Sequence, residues 1–150
     1  KGGDPVVPWN GEPFKIGRAY TLREGGDVLL AGTGITTARN LKAAKRLASH
    51  GIEATILHIP SIKPLDQEAI LAHSAKVRAV VCCEEGVLNG GLGSAIAELL
   101  AELDGLNRPR LGRLGFPDTF LEHFGSQDKI MARYGLTSEG IAAKALALCG

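Results

Sequence analysis

Residues Val77–Ala95 read VRAVVCCEEGVLNGGLGSA, and the way this stretch is read decides the fold. Val77–Cys83 is a short apolar run of the kind that forms a strand buried on both faces. Two carboxylates, Glu84 and Glu85, then lead into glycines at 86, 90, 91 and 93. Behind the glycines, Leu92, Ile96, Leu99, Leu100 and Leu103 recur at helical spacing. The stretch is therefore a strand, a glycine-rich turn and a helix. Its turn could cradle a phosphate, carry a catalytic acid pair, or simply reverse the chain.

Outward from this unit the same grammar repeats. Asp27–Gly32 (DVLLAG) is a second buried strand, and Ala38, Leu41, Ala44, Leu47 and Ala48 stripe the helix after it. Arg39, Lys42, Lys45 and Arg46 fall largely off that stripe, with Lys42, Lys45 and Arg46 read as a solvated face, and Gly51 stands where a helix-ending glycine belongs. Glu53–Ile59 is a strand, Pro60 and Pro64 bracket a loop, and Asp66 is placed to cap a short helix over 67–75. Arg110–Phe116 is a further strand, and helices follow over 127–134 and 138–148 with Gly135 between them. Phe14–Glu24 is extended and turns at Gly25-Gly26. Strands alternating with helices at this spacing specify an α/β domain with a mostly parallel sheet. Residues 1–13, with three prolines, three glycines and Trp9, have the composition of a linker or docking arm, which leaves 14–150 as the domain.

Bulk properties exclude several classes. With 150 residues, 45% hydrophobic and 22% charged, the chain can bury one core and is not expected to be disordered. A net charge of +1 with the signs mixed gives no basic face for nucleic acid. There is no 18-residue apolar run to cross a membrane and no signal-peptide pattern. Three cysteines make neither a disulfide framework nor a zinc pattern, so a reducing, cytoplasmic location is expected. The chain starts at Lys1, not methionine, and is expected to be a piece of a longer polypeptide.

The catalytic motifs fail one by one. Gly32–Thr37 (GTGITT) has the start of a dinucleotide fingerprint but threonine at its third small position, and the next strand ends in His58-Ile59 with no acidic residue to hold a ribose. Gly91–Ile96 (GLGSAI) has isoleucine at the third position. Neither turn is a P-loop, and no serine sits in a nucleophile elbow. Glu84 and Glu85 are neighbours at a strand end and point to opposite faces, so they do not converge on one bond; one of them satisfying loop N–H groups is the simpler role. Cys82 and Cys83 are small buried hydrophobes, and no two of the four histidines have ligand spacing. What remains is a weak anion site or an interface at the turns containing Gly32, Gly34, Gly91, Gly93 and Ser94, with Glu84 and Glu85 beside them. A free-standing small-anion or nucleotide-binding regulatory module would use the same helix N-termini.

Four phrases in this order carry a resemblance: FKIGRAYTLREGGDVLLAGTG (14–34), AAKRLASHGIEATILHIPSIKPLDQEAI (43–70), VVCCEEGVLNGGLGSAIAELL (80–100) and LGFPDTFLEHFGSQDKIMARYGLTSEGI (114–141). Together they resemble the C-terminal domain of the transketolase family of thiamine diphosphate enzymes, and within it transketolase C-terminal subunits and deoxyxylulose-phosphate synthases. The resemblance implies a three-layer α/β/α domain with a five-stranded, mostly parallel sheet. It also implies that thiamine diphosphate and magnesium belong to preceding diphosphate- and pyrimidine-binding domains, and that the complete enzyme is a homodimer. This chain would then be an accessory and assembly domain with no catalytic residue, cofactor or metal of its own. One departure stands out: the family often has histidine after the two glutamates, where this chain has Gly86.

Overall fold

In chain order the elements are β1 Tyr20–Arg23, β2 Val28–Gly32, α1 Thr36–Ala48, β3 Ala54–His58, α2 Gln67–Ser74, β4 Ala79–Val87, α3 Leu92–Ala101, β5 Arg110–Phe116, α4 Gln127–Arg133 and α5 Ser138–Cys149. They belong to a computed structural model that describes residues 5–8, 11–103, 108–120, 122 and 124–150. Trp9 and His123 lie outside the described residues.

The apolar runs of β2, β3 and β4 become the middle of one five-stranded sheet in the order β1-β3-β2-β4-β5. Leu30 of β2 pairs in parallel with Ile56 on one side and Val81 on the other, β5 runs parallel to β4, and only β1 is antiparallel. Alternation along β2 sends Val28 and Leu30 to one face, into a core with Ala43, Ala44 and Leu47 of α1, Met131 of α4 and Ile141 and Ala145 of α5. Leu29 and Ala31 face the other way, against Ile70 of α2 and Leu92, Ile96 and Leu100 of α3. The result is the expected three-layer α/β/α architecture.

Local chemistry ends the helices where the sequence indicates. Asp66 Oδ1 accepts the Ala69 N–H at 3.1 Å, and its Oδ2 accepts the Ala19 N–H at 2.8 Å, so one carboxylate caps α2 and fixes the approach to β1. Gly51 closes α1 at a φ of +73°, a region open to glycine.

Two details differ from the periodicity. Ala48 is exposed, whereas Thr36, Thr37, Asn40 and Ala43 are buried. The first turn of α1 tucks against the sheet end because Thr36 Oγ1 donates to the Cys83 carbonyl at 2.7 Å, and this rotates the buried stripe toward the polar residues. Strand β4 also runs past Cys83 to Val87, which pairs with Phe116 after a register irregularity.

Candidate functional site

In an open α/β sheet, the carboxyl ends of the parallel strands, at the point where the strand order reverses, are where a site is sought. Here the reversal lies between β2 and β4, and both glycine-rich turns leave the sheet there.

The turn after β4 is built around Glu84. Its side chain is 4% exposed, while Glu85 is exposed on the opposite face. Glu84 Oε2 accepts the Leu92 N–H at 2.8 Å and Oε1 accepts the Gly93 N–H at 2.8 Å. These are N–H groups of the first turn of α3, left without partners inside the helix. A negative side chain suits that end of the helix dipole. The glycines make room for it: a Cβ on Gly91 would stand 2.0 Å from Glu84 Oε2, and one on Gly93 3.2 Å from Oε1. The turn is therefore a cradle, and what it cradles is the chain's own carboxylate.

Its outer wall is braced by polar contacts. Ser94 Oγ donates to the Leu88 carbonyl at 2.9 Å and accepts the Gly90 N–H at 3.0 Å. Arg113 Nη1 donates to the same carbonyl at 3.0 Å and to Ser94 Oγ at 3.2 Å. Glu85 turns outward and accepts from Gln127 at the start of α4. Nothing in the sequence singled out Arg113 or Gln127, since both reach this turn only through packing of β5 and α4.

The turn after β2 holds Gly32 and Gly34. The Gly32 carbonyl accepts the Ile59 N–H at 2.8 Å, and a Cβ on Gly32 would stand 2.6 Å from Asn40 Nδ2. Thr37 Oγ1 lies 2.7 Å from His58 Nδ1. Burial holds His58 below the ordinary histidine value, partly opposed by a hydrogen bond with the Gly32 backbone. The first N–H groups of α1 are used within the turn: Thr36 donates to the Thr33 carbonyl at 3.3 Å and Thr37 to the Gly34 carbonyl at 3.2 Å.

Cys82 and Cys83 are buried, and burial pushes the Cys83 thiol up to about 12 and that of Cys82 well above its ordinary value. Among the described residues no three His, Cys, Asp or Glu side chains gather to hold a metal ion. Nor do the described residues fit a bound diphosphate at α3, because Glu84 already takes the N–H groups that would meet it. Among the described residues no helix is long and apolar enough to cross a membrane.

This edge also exposes large apolar side chains. Among the described residues, five large hydrophobic side chains other than Val6 are exposed: Phe14, Ile16, Val87, Phe120 and Phe124. Phe14 and Ile16 precede β1 beside the loop after β3, Val87 ends β4, and Phe120 and Phe124 follow β5. All five therefore sit at the carboxyl end of the parallel strands. Phe120 and Phe124 are essentially fully exposed, at 98% and 103%.

Comparison with known proteins agrees with this architecture. Residues 17–141 match the family described as transketolase, C-terminal domain. The chain belongs to the transketolase C-terminal domain family. Among curated relatives of this domain, the 1-deoxy-D-xylulose-5-phosphate synthase of Trichormus variabilis is 41% identical over 144 residues, 96% of this chain and 22% of the relative. The enzyme of the same name from Synechococcus sp. strain JA-2-3B'a(2-13) is 44% identical over 142 residues, again 22% of its length. The transketolase C-terminal domain described here thus spans about a fifth of those relatives. Among solved structures, a split-gene transketolase, an inactive β4 tetramer, superposes with a TM-score of 0.88 at 36% identity, covering 98% of this chain and 47% of the other. A transketolase from Pichia stipitis shares the fold, with a TM-score of 0.59 at 19% identity over 87% of this chain.

Proposed function

We propose that this chain is the accessory and assembly domain of a thiamine diphosphate-dependent transketolase-type enzyme, and that it supplies no reacting group itself. The observation that carries this reading is the uncovered apolar carboxyl edge, with Phe120 and Phe124 wholly exposed beside a glycine turn already filled by Glu84. A domain that held substrate at this edge would aim polar groups into a cleft there. This edge instead offers the aromatic anchors typical of a protein contact.

In this reading residues 14–150 are the domain and 1–13 the arm that leads into it. The occupant of the edge is the preceding diphosphate- and pyrimidine-binding part of the same enzyme. Thiamine diphosphate and magnesium sit in that part, where the cofactor supplies the carbanion chemistry of two-carbon transfer. Gly34, Gly91 and Ser94, with the outward Glu85, form the polar centre of the contact, and the buried Gly32 and Gly93 lie beneath it. Glu84 holds that centre rigid. The contribution to catalysis is geometric, because a fixed interface keeps an active site formed between other domains within reacting distance. The complete enzyme is a homodimer in a cytoplasmic, reducing compartment, a setting compatible with the three unpaired thiols.

Identity to relatives named 1-deoxy-D-xylulose-5-phosphate synthase favours that type of parent enzyme over a sugar-phosphate transketolase. The test is reconstitution: the chain alone, the preceding domains alone, and the two mixed, each assayed for 1-deoxy-D-xylulose 5-phosphate formation and for ketol transfer between sugar phosphates. Synthase activity only on mixing is the expected result. Turnover by the chain alone would overturn the reading and return attention to Glu84 and Glu85 as reacting groups.

A further inference from the structure

The opposite, amino edge of the sheet holds a cavity of about 540 Å³ whose lining includes Lys76, Arg78, Arg108 and Arg110, together with the end of α5. The four cations come from two short stretches, Lys76-Val77-Arg78 and Arg108-Pro109-Arg110, that lead into the adjacent parallel strands β4 and β5. The Arg110 N–H donates to the Arg78 carbonyl at 3.0 Å, which locks the two stretches side by side.

Part of this cluster has a structural role. Arg78 Nη1 donates to the Cys149 carbonyl at 3.1 Å and Arg110 Nη1 to the Leu148 carbonyl at 3.3 Å, so both cap the last turn of α5. Arg78 also pairs with Asp27 at 3.1 Å. A guanidinium has five donors, so these contacts anchor both groups at the cavity wall and leave donors over. Lys76 and Arg108 cap no part of α5, although Arg108 Nη2 donates to the Leu103 carbonyl beyond α3. Both are exposed, and among the described residues neither they nor Arg110 has an acidic side-chain partner. Four like charges around one cavity repel one another until an anion offsets them. Among the described residues one carboxylate side chain, Asp27, does so for one of the four.

We propose that this cavity binds a small molecule carrying two or more linked phosphates. Arginine forks match phosphate oxygens two at a time, and Lys76 adds a movable point charge. The volume is that of a small-molecule site and exceeds what one phosphate fills. The proposal does not depend on the accessory-domain reading, since it concerns the edge of the sheet away from the proposed domain contact.

The test is titration calorimetry of the chain with tripolyphosphate and with ATP at about 0.15 M salt, where diffuse surface attraction is largely screened. Saturable one-to-one binding is expected, weakened at least tenfold in the double variant Lys76→Gln/Arg108→Gln. That variant should remain folded with a melting temperature close to the parent's, because neither residue braces α5 and Arg108 gives up only one exposed hydrogen bond, to the Leu103 carbonyl. Lys42→Gln/Lys45→Gln, on the solvated face of α1, should bind as the parent does. The proposal is overturned by absence of saturation at millimolar tripolyphosphate, by equal weakening in the α1 variant, or by hexaglutamate binding as tightly as tripolyphosphate.

Discussion

The two ends of the sheet are built from the same strands and solve opposite problems. At the carboxyl end, the chain must turn from strands into helices, and it satisfies a helix N-terminus internally: Glu84 fills the glycine turn and takes two N–H groups. The helix N-terminus is satisfied inside, and large apolar side chains, including Phe120 and Phe124, stand exposed beside the outward Glu85. At the amino end, helix α5 presents carbonyls, and the chain meets them with Arg78 and Arg110. There the charges stay at the surface around an open cavity. The lesson is that a helix N-terminus can be closed by one short acidic side chain. A helix C-terminus served by long arginines keeps spare donors in solvent. One edge is thereby suited to a protein, the other to an anion.

The sharpest way to break this contrast is at Gly91. Gly91→Ala places a Cβ where Glu84 Oε2 now lies, so the carboxylate must leave and two buried N–H groups lose their acceptor. A loss of about 3 kcal/mol or more is expected in chemical denaturation, the sum of a steric clash and unmade buried hydrogen bonds. Unchanged stability would mean that Glu84 does not hold the turn. Glu84→Gln keeps the shape but offers one acceptor where two are needed, and should cost about 1–3 kcal/mol by the same measurement.

At the amino edge the expected effect is smaller. Arg78→Gln removes a cap from α5 and the pairing with Asp27, for a loss of about 1 kcal/mol; an equal loss in Lys76→Gln would erase the distinction drawn between capping and non-capping cations.

A pH dependence sharpens the carboxyl edge further. The folded-state pKa of His58 is lowered by burial below the unfolded value of 6.5, so on acidification the unfolded chain takes up this proton first. The His58 contribution to stability is complete above about pH 6.5 and falls as pH drops toward the lower folded value. His58→Gln should flatten that part of a stability-versus-pH curve, and an identical slope in the variant would remove His58 as its source.

The smallest effect on folding is expected from the largest exposed groups. Phe120→Ser/Phe124→Ser should shift stability by no more than about 0.5 kcal/mol, as for other surface positions, while abolishing activity on mixing with the preceding domains. A destabilised double variant would show that these rings pack on their own domain.

Much of this was legible in the residues. The uninterrupted apolar strands, the Asp66 cap and Gly51 were legible because an apolar run, a capping carboxylate and a left-handed glycine are each signalled within a few residues of chain. The four-phrase resemblance named the family that residues 17–141 match. The glycine turn was ambiguous in one dimension, since the same pattern suits a phosphate, an acid pair or a structural carboxylate. Pattern also placed Ala48 inside and passed over Asn40, because the rotation of α1 depends on a hydroxyl that reaches β4.

The sequence by itself thus determined the α/β order of elements and the absence of known catalytic motifs, since these rest on periodicity and short-range chemistry, and its four phrases carried the resemblance to the family. Only the tertiary structure decided that Glu84 occupies its own turn, that five exposed apolar side chains share one edge, and that Lys76-Val77-Arg78 meets Arg108-Pro109-Arg110 across two strands. The last two facts join residues from about thirty to about 110 positions apart, and strand order, which no local pattern encodes, is what brings them together.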